Sequence, residues 1–203
     1  MMQENNKTMR ILIAGFGGQG VLFLGKLIAY AGVLKGKQVT WLPSYGPEMR
    51  GGTANCAVIL SDGPIGSPIV SEPDVLIAMN LPSFSAYEQK VRPGGTIVLD
   101  ASLIPDARAR TDVSYRALPA TRLAADEHLE GLSNMILLGA FLEDCLLLSE
   151  EETQQALAQT VPSHKKHLIE ANLRAIAIGK ARFECAQSDT RPTQAEHRPR
   201  RAG

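Results

Sequence analysis

The chain has 203 residues, with 21 Lys+Arg against 21 Asp+Glu and a formal net charge of zero. This length suits one domain with a sizeable core, and the charge balance gives no reason to expect nucleic acid, which needs a basic surface, as a partner. Three scattered cysteines, Cys56, Cys145 and Cys185, make neither a disulfide framework nor a cluster-binding set and fit a reducing cytoplasm.

Residues 1–9 are polar and are read as a flexible N-terminus without the apolar core of a signal peptide. Arg10–Ala14 is continuously apolar after its first residue, as expected of a strand buried on both faces. A glycine cluster follows at Gly15, Gly17, Gly18 and Gly20. From about Gln19 to Lys35 the pattern turns helical, with Val21, Leu24, Gly25, Ile28 and Gly32 on one face and Gly36 as the stop. Ile11–Leu34 is apolar enough to suggest a membrane span, but the glycines break it and its halves differ in period, so a soluble cytoplasmic protein is expected. A neutral surface also favours association, as in a subunit of a larger assembly.

Gln38–Leu42 reads as a second strand. The loop Pro43–Gly52 follows, in which Tyr45, Glu48 and Arg50 stand among glycines and prolines. Thr53–Leu60 is a strand ending in the turn Ser61-Asp-Gly-Pro64. Ile65–Val70, with prolines nearby, is at best an edge strand. Asp74–Met79 is a buried strand, Leu81–Lys90 a helix, Thr96–Leu99 a strand and Val113–Ala117 a last strand. Asp100 stands at a strand's carboxyl end, where open α/β sheets place ligands, although a helix cap or loop brace would explain it equally.

Helices dominate from Ala120 onward. Ser133 is placed as the cap of a helix to about Leu148, buried through Met135, Leu138, Gly139 and Leu142. Ser149 and Glu152 form a capping box for a helix that stops at Pro162. Ser163 is placed as the cap of a last helix to about Phe183, and residues 186–203, polar and Arg-rich, read as a disordered tail. Residues 10–185 then form a single domain: a Rossmann-like, mostly parallel sheet with flanking helices and a helical C-terminal part.

Gly15-Phe-Gly-Gly-Gln-Gly20 matches a dinucleotide turn in the right context. That turn needs an acid about 20 residues on, and Val21–Pro47 contains none. Lys26 is misplaced for a phosphate-binding loop of the nucleoside-triphosphatase kind. Tight packing alone, a nicotinamide or flavin dinucleotide, and another phosphate-bearing ligand all remain open, the last favoured by four glycines in six positions. The second loop belongs at the same sheet edge, where Arg50 could grip a phosphate or carboxylate or pair internally with Glu48. His164 and His167 lack a third ligand and read as a surface pair. No nucleophile, base or metal set is legible, so no catalytic or metal-binding residue is assigned.

Five stretches together, RILIAGFGGQGV, SYGPEMRGGTANCAVILSD, PDVLIAMN, PGGTIVLDASLI and NMILLGAF, resemble the gamma subunit of 2-oxoacid:ferredoxin oxidoreductases over Met9–Glu184. The loop SYGPEMRGG is closest to the 2-oxoglutarate and branched-chain 2-oxoacid types. The resemblance implies a complex that oxidatively decarboxylates a 2-oxoacid, forms an acyl-coenzyme A and reduces ferredoxin. It places thiamine diphosphate, magnesium and iron–sulfur clusters in alpha and beta subunits, with a small delta subunit in some complexes. It gives this chain a share of the coenzyme A site: Gly15, Gly17, Gly18, Gln19 and Gly20 facing the ligand, and Tyr45, Glu48, Arg50 and Gly51 forming a second wall. One departure is Glu130-Gly-Leu-Ser-Asn134, where the family often carries a glycine and a basic residue before the asparagine, so no partner-contact role is carried over to Asn134. A stand-alone NAD(P)- or flavin-binding oxidoreductase and a non-catalytic ligand-binding scaffold are the alternatives.

Overall fold

The computed structural model describes residues 7–45, 53–105, 110–145 and 148–188. The first strand, β1 (Thr8–Phe16), buries Ile11, Leu12, Ile13 and Ala14 on both faces, as its unbroken apolar run requires. Helix α1 (Val21–Leu34) follows the glycine turn. It ends where Gly36 N–H bonds the Val33 carbonyl at 2.9 Å and Lys37 N–H returns to the Gly32 carbonyl at 3.0 Å. Strands β2 (Gln38–Tyr45), β3 (Thr53–Ser61), β4 (Val75–Ala78), β5 (Thr96–Asp100) and β6 (Ser114–Leu118) complete one six-stranded sheet in the order β2-β3-β1-β4-β5-β6.

Pairing is parallel from β1 through β4 and β5 to β6. β3 is antiparallel to both β1 and β2, so β2 points the same way as β1. The second strand runs three residues beyond its expected end at Leu42, because Pro43, Ser44 and Tyr45 keep pairing with Cys56, Asn55 and Ala54. Ile65–Val70 forms no strand. β3 already delivers the chain to the edge where β4 starts, so neither a crossover nor an added strand is needed.

Helix α2 (Leu81–Tyr87) continues into a 3-10 turn at Glu88–Lys90. The C-terminal part holds α3 (Ala120–Asp126), α4 (Ser133–Cys145), α5 (Glu150–Thr160) and α6 (Ile169–Ser188). Ser149 accepts from Glu152 N–H at 3.2 Å while the Glu152 carboxylate accepts from Ser149 N–H at 2.8 Å, the expected capping box. Ser163 does not cap the last helix. It opens a 3-10 turn, Ser163–Leu168, without a side-chain cap, and α6 begins only at Ile169. α6 also runs past Phe183 and the expected domain end to Ser188, and 189–203 lie outside the described residues.

Two apolar layers sandwich the sheet. One face packs Ile11, Ile13, Cys56, Val58 and Leu60 against α1 and, through it, α4 and α5. The other face packs Leu12, Ala14, Leu76 and Leu99 under Phe84 of α2. α4 and α6 cross with Gly139 and Gly179 in mutual contact. A β-carbon on Gly139 would overlap the Ile176 carbonyl and stand 3.0 Å from the Gly179 Cα. Cys56 is enclosed beneath α1, and burial pushes its thiol up to about 12, leaving it protonated at neutral pH. No described helix is long and apolar enough to cross a membrane.

Candidate functional site

From β1 the chain leaves toward β2 over one face of the sheet, while from β4 it leaves toward β5 over the other. β1 and β4 are parallel neighbours. Their carboxyl ends therefore flank a topological switch point, the crevice where open α/β sheets bind ligands. The glycine turn forms one side of this crevice and the start of α2 the other.

Side chains from both sides meet there. Gln19 Oε1 accepts from Phe16 N–H at 2.7 Å and from Asn80 Nδ2 at 2.8 Å, while Gln19 Nε2 donates to the Met79 carbonyl at 3.1 Å. Asn80 in turn caps α2 by accepting from Ser83 N–H at 2.9 Å. The expected ligand-facing Gln19 thus turns its carboxamide inward as a brace, with all of these bonds made inside the chain. Gly15 is also turned inward: a β-carbon there would press on Gln19, Val21 and Met79.

Gly18 and Gly20 are different. Both have positive φ, 96° and 77°, where a side chain is strained. A β-carbon on Gly18 would meet nothing within 4 Å, so this glycine serves the turn and not packing. Gly20 is the N-cap of α1 without a side-chain cap and without an acid in the first turn. The first intrahelical bond is Leu24 N–H to the Gly20 carbonyl at 3.0 Å, so the N–H groups ahead of it are the helix's unpaired donors. Together with the helix dipole they favour an anion. Asn134, at the start of α4, lies against Gly20.

β2 ends at the same edge as β1: Tyr45 pairs with Ala54, which also pairs with Gly15. Tyr45, which leads into 46–52, therefore stands two strand spacings, roughly 10 Å, from β1, while Thr53, which follows it, pairs directly with Phe16. Of Tyr45 only the backbone is described, and Glu48, Arg50 and Gly51 lie outside the described residues. The same pairing explains the missing acid. In a dinucleotide-binding sheet a parallel strand beside β1 carries it at its carboxyl end. Here that neighbour is antiparallel β3, which brings Thr53, Ala54 and Asn55 to the edge instead.

Asp100 is a brace. Its carboxylate accepts from Ser102 N–H at 3.0 Å, Thr121 N–H at 3.0 Å and Thr121 Oγ1 at 2.5 Å, tying β5 to α3 with 1 % exposure. A cleft of about 760 Å³ opens elsewhere, on the α2 face over Leu12, Leu42 and Ala57. Its cations are engaged, Arg92 with Asp74 at 2.6 Å, Arg110 with Asp112 at 2.6 Å and Lys90 over the Tyr87 ring at 5.0 Å. Among the described residues no group of three or more His, Cys, Asp or Glu could hold a metal ion.

Sequence reasoning did not find Asn80 or the contact of Asn134 with Gly20. The available signals were a polar residue closing the apolar strand DVLIAM and a lone amide directly ahead of the apolar run Met135–Leu142.

Residues 10–182 match the family described as pyruvate ferredoxin/flavodoxin oxidoreductase. The chain is 35% identical over 173 residues to the ketoisovalerate oxidoreductase subunit VorA of Methanothermobacter marburgensis, covering 85% of this chain and 36% of that protein. It therefore spans about a third of the length of that relative. It is 34% identical over 183 residues to the 2-oxoglutarate synthase subunit KorC of Methanocaldococcus jannaschii, covering 88% of this chain and 96% of that protein. Among solved structures, 2-oxoglutarate:ferredoxin oxidoreductase from Magnetococcus marinus with 2-oxoglutarate, coenzyme A and succinyl-CoA bound superposes with a TM-score of 0.78 at 26% identity. That match covers 88% of this chain and 31% of the other.

Proposed function

Given that the chain belongs to the pyruvate ferredoxin/flavodoxin oxidoreductase family, we propose that it is the gamma subunit of a 2-oxoacid:ferredoxin oxidoreductase. The complex converts a 2-oxoacid, such as 2-oxoglutarate or a branched-chain 2-oxoacid, and coenzyme A into the acyl-coenzyme A and CO2. The two electrons released pass to ferredoxin. Alpha and beta subunits hold thiamine diphosphate, magnesium and the iron–sulfur clusters, with a delta subunit where one exists, and the complex works in the cytoplasm. Thiamine diphosphate supplies the carbanion stabilisation that decarboxylation requires.

This chain's part is to hold coenzyme A. The observation that carries this reading is the switch-point crevice itself, where the unpaired N–H groups of α1 stand beside the chain end that leads into 46–52. Gly17, Gly18 and Gly20 form the cradle, and Gln19 fixes its shape through Phe16, Met79 and Asn80. Tyr45, Glu48, Arg50 and Gly51 form the second wall, with Arg50 on a phosphate. The lack of an acid beside β1 weighs against a nicotinamide or flavin dinucleotide.

The test is to assemble the chain with its alpha and beta subunits and follow 2-oxoacid- and coenzyme A-dependent ferredoxin reduction. Arg50→Ala is expected to raise the KM for coenzyme A by a loss of about 1.5–3 kcal/mol, leaving the KM for the 2-oxoacid unchanged. An assembled complex whose coenzyme A kinetics ignore this substitution removes Arg50 from the site. Purification from the native host as a lone protein that binds NAD(P)H stoichiometrically would overturn the whole reading.

A further inference from the structure

We infer that Asn80 is a positioning residue for coenzyme A binding: acting through Gln19, it ties the start of α2 to the glycine turn and holds the two sides of the switch-point crevice at one spacing. The inference rests on the proposed coenzyme A site for what the crevice receives.

Among the described residues, the last backbone bond between the ends of β1 and β4 runs from Met79 N–H to the Ala14 carbonyl at 2.9 Å. Beyond it the chain leaves β1 over one sheet face and β4 over the other, and side chains span the opening. Ser83 N–H donates to Asn80 Oδ1 at 2.9 Å, Asn80 Nδ2 donates to Gln19 Oε1 at 2.8 Å, and Gln19 Nε2 donates to the Met79 carbonyl at 3.1 Å. Gln19 Oε1 also accepts from Phe16 N–H at 2.7 Å, at the start of the turn itself. The direction of this relay is fixed. The backbone N–H groups of Ser83 and Phe16 can only donate, so each claims the oxygen end of one carboxamide. The bond between the two side chains must then run from Asn80 to Gln19.

Two further features agree. Asn80 is 4% exposed and both ends of its carboxamide have partners, so changing either end leaves a buried polar group unpaired. Gly15 makes room for the relay: a β-carbon there would stand 2.8 Å from Gln19 Oε1 and 3.1 Å from the Met79 Cβ. Asn80 therefore has two separable roles, Oδ1 capping α2 and Nδ2 setting the turn through Gln19. A serine preserves the first, since its hydroxyl is a good N-cap, and is too short for the second.

The experiment compares the assembled complex carrying Asn80→Ser, Asn80→Asp or Arg50→Ala with the wild type, reading Tm, kcat and the KM values for coenzyme A and the 2-oxoacid at several pH values. Asn80→Ser is expected to raise the KM for coenzyme A about fivefold while Tm, kcat and the KM for the 2-oxoacid stay unchanged, because the cap survives and the link does not. Asn80→Asp keeps the cap but sets an acceptor against Gln19 Oε1. It is expected to raise the KM for coenzyme A about tenfold at neutral pH, and the excess over the wild type should shrink on acidification, as the protonated carboxyl regains a donor for Gln19. The serine variant has no such recovery. If Asn80→Asp does not assemble, the serine variant decides. A raised KM in Arg50→Ala with both Asn80 variants unchanged overturns the role of Asn80 and leaves the coenzyme A site standing. A KM that rises in the Asn80 variants only with a loss of Tm, and without recovery in acid, also overturns it, because the residue would then act on stability alone. No change in any of the three variants removes coenzyme A from the crevice, and the inference falls with the proposed site.

Discussion

The glycines of the switch point and the glycines of the α4–α6 crossing are the same residue kept for opposite reasons. At the crossing, Gly139 and Gly179 are enclosed, and their missing side chains let two helix backbones touch. At the turn, Gly18 faces open space and Gly20 a single amide. What they supply is backbone shape and a free approach to N–H groups. A crowded glycine is therefore expected to report on stability, and an uncrowded one with positive φ on ligand binding.

The strongest way to sharpen this contrast is Gly139→Val. Its side chain would meet the Ile176 carbonyl, which cannot rotate away as a side-chain tip would. A stability loss of about 3 kcal/mol is expected in denaturant unfolding, beyond the ordinary range for helix propensity alone. Coenzyme A binding by the folded fraction is expected to be unchanged. A neutral result would mean that the helices can separate freely, and the contrast would collapse from the packing side.

Gly18→Ala attacks it from the other side. The added methyl meets no atom within 4 Å, so the expected stability cost is only the conformational one, about 1–2 kcal/mol. The KM of the assembled enzyme for coenzyme A is expected to rise by a larger factor than that strain explains in any variant elsewhere on the surface. A variant that loses stability but binds coenzyme A normally would place Gly18 with the packing glycines.

Ser149→Ala provides a reference that touches none of these glycines. Losing the N-cap half of the capping box on α5 should cost about 1 kcal/mol, read as a lowered Tm without any shift in coenzyme A kinetics. The smallest expected effect comes from the partner of Ser149. Glu152 is held below the usual carboxylate range first by Lys35, whose Nζ lies 2.7 Å from it, and then by the Ser149 N–H. A carboxyl depressed in the folded state contributes stability above its unfolded pKa and loses it as pH falls through the lower folded value. Acidification should therefore weaken the α1–α5 contact below the ordinary carboxylate range, and Glu152→Gln should flatten that part of the stability–pH curve. As the pair is exposed, the change is expected near the limit of detection.

The local pieces were legible in the sequence because each depends on neighbours within a turn or two. The apolar run of β1, the glycine turn, the buried face of α1 and the Ser149–Glu152 box all follow from spacing and side-chain type. The same local logic misplaced Ser163. A hydroxyl before a helical pattern looks like a cap, yet after Pro162 the chain takes a 3-10 turn first. For Gln19, which the resemblance set against the ligand, local spacing offered no partner, since the carbonyl of Met79 and the amide of Asn80 reach it only when β1 pairs with β4.

Sequence alone thus determined that a strand, a glycine turn and a helix start would present N–H groups, and that no acid followed to claim a dinucleotide ribose. Tertiary structure decided the rest: that β3 enters antiparallel between β1 and β2, that β1 and β4 open a switch-point crevice, and that Asn134 closes over Gly20. The reason is physical. Turn and helix chemistry is set by bonds between near neighbours in the chain, whereas strand order and the meeting of α4 with the start of α1 are set by long-range burial. That burial selects among arrangements which the local pattern leaves equally open.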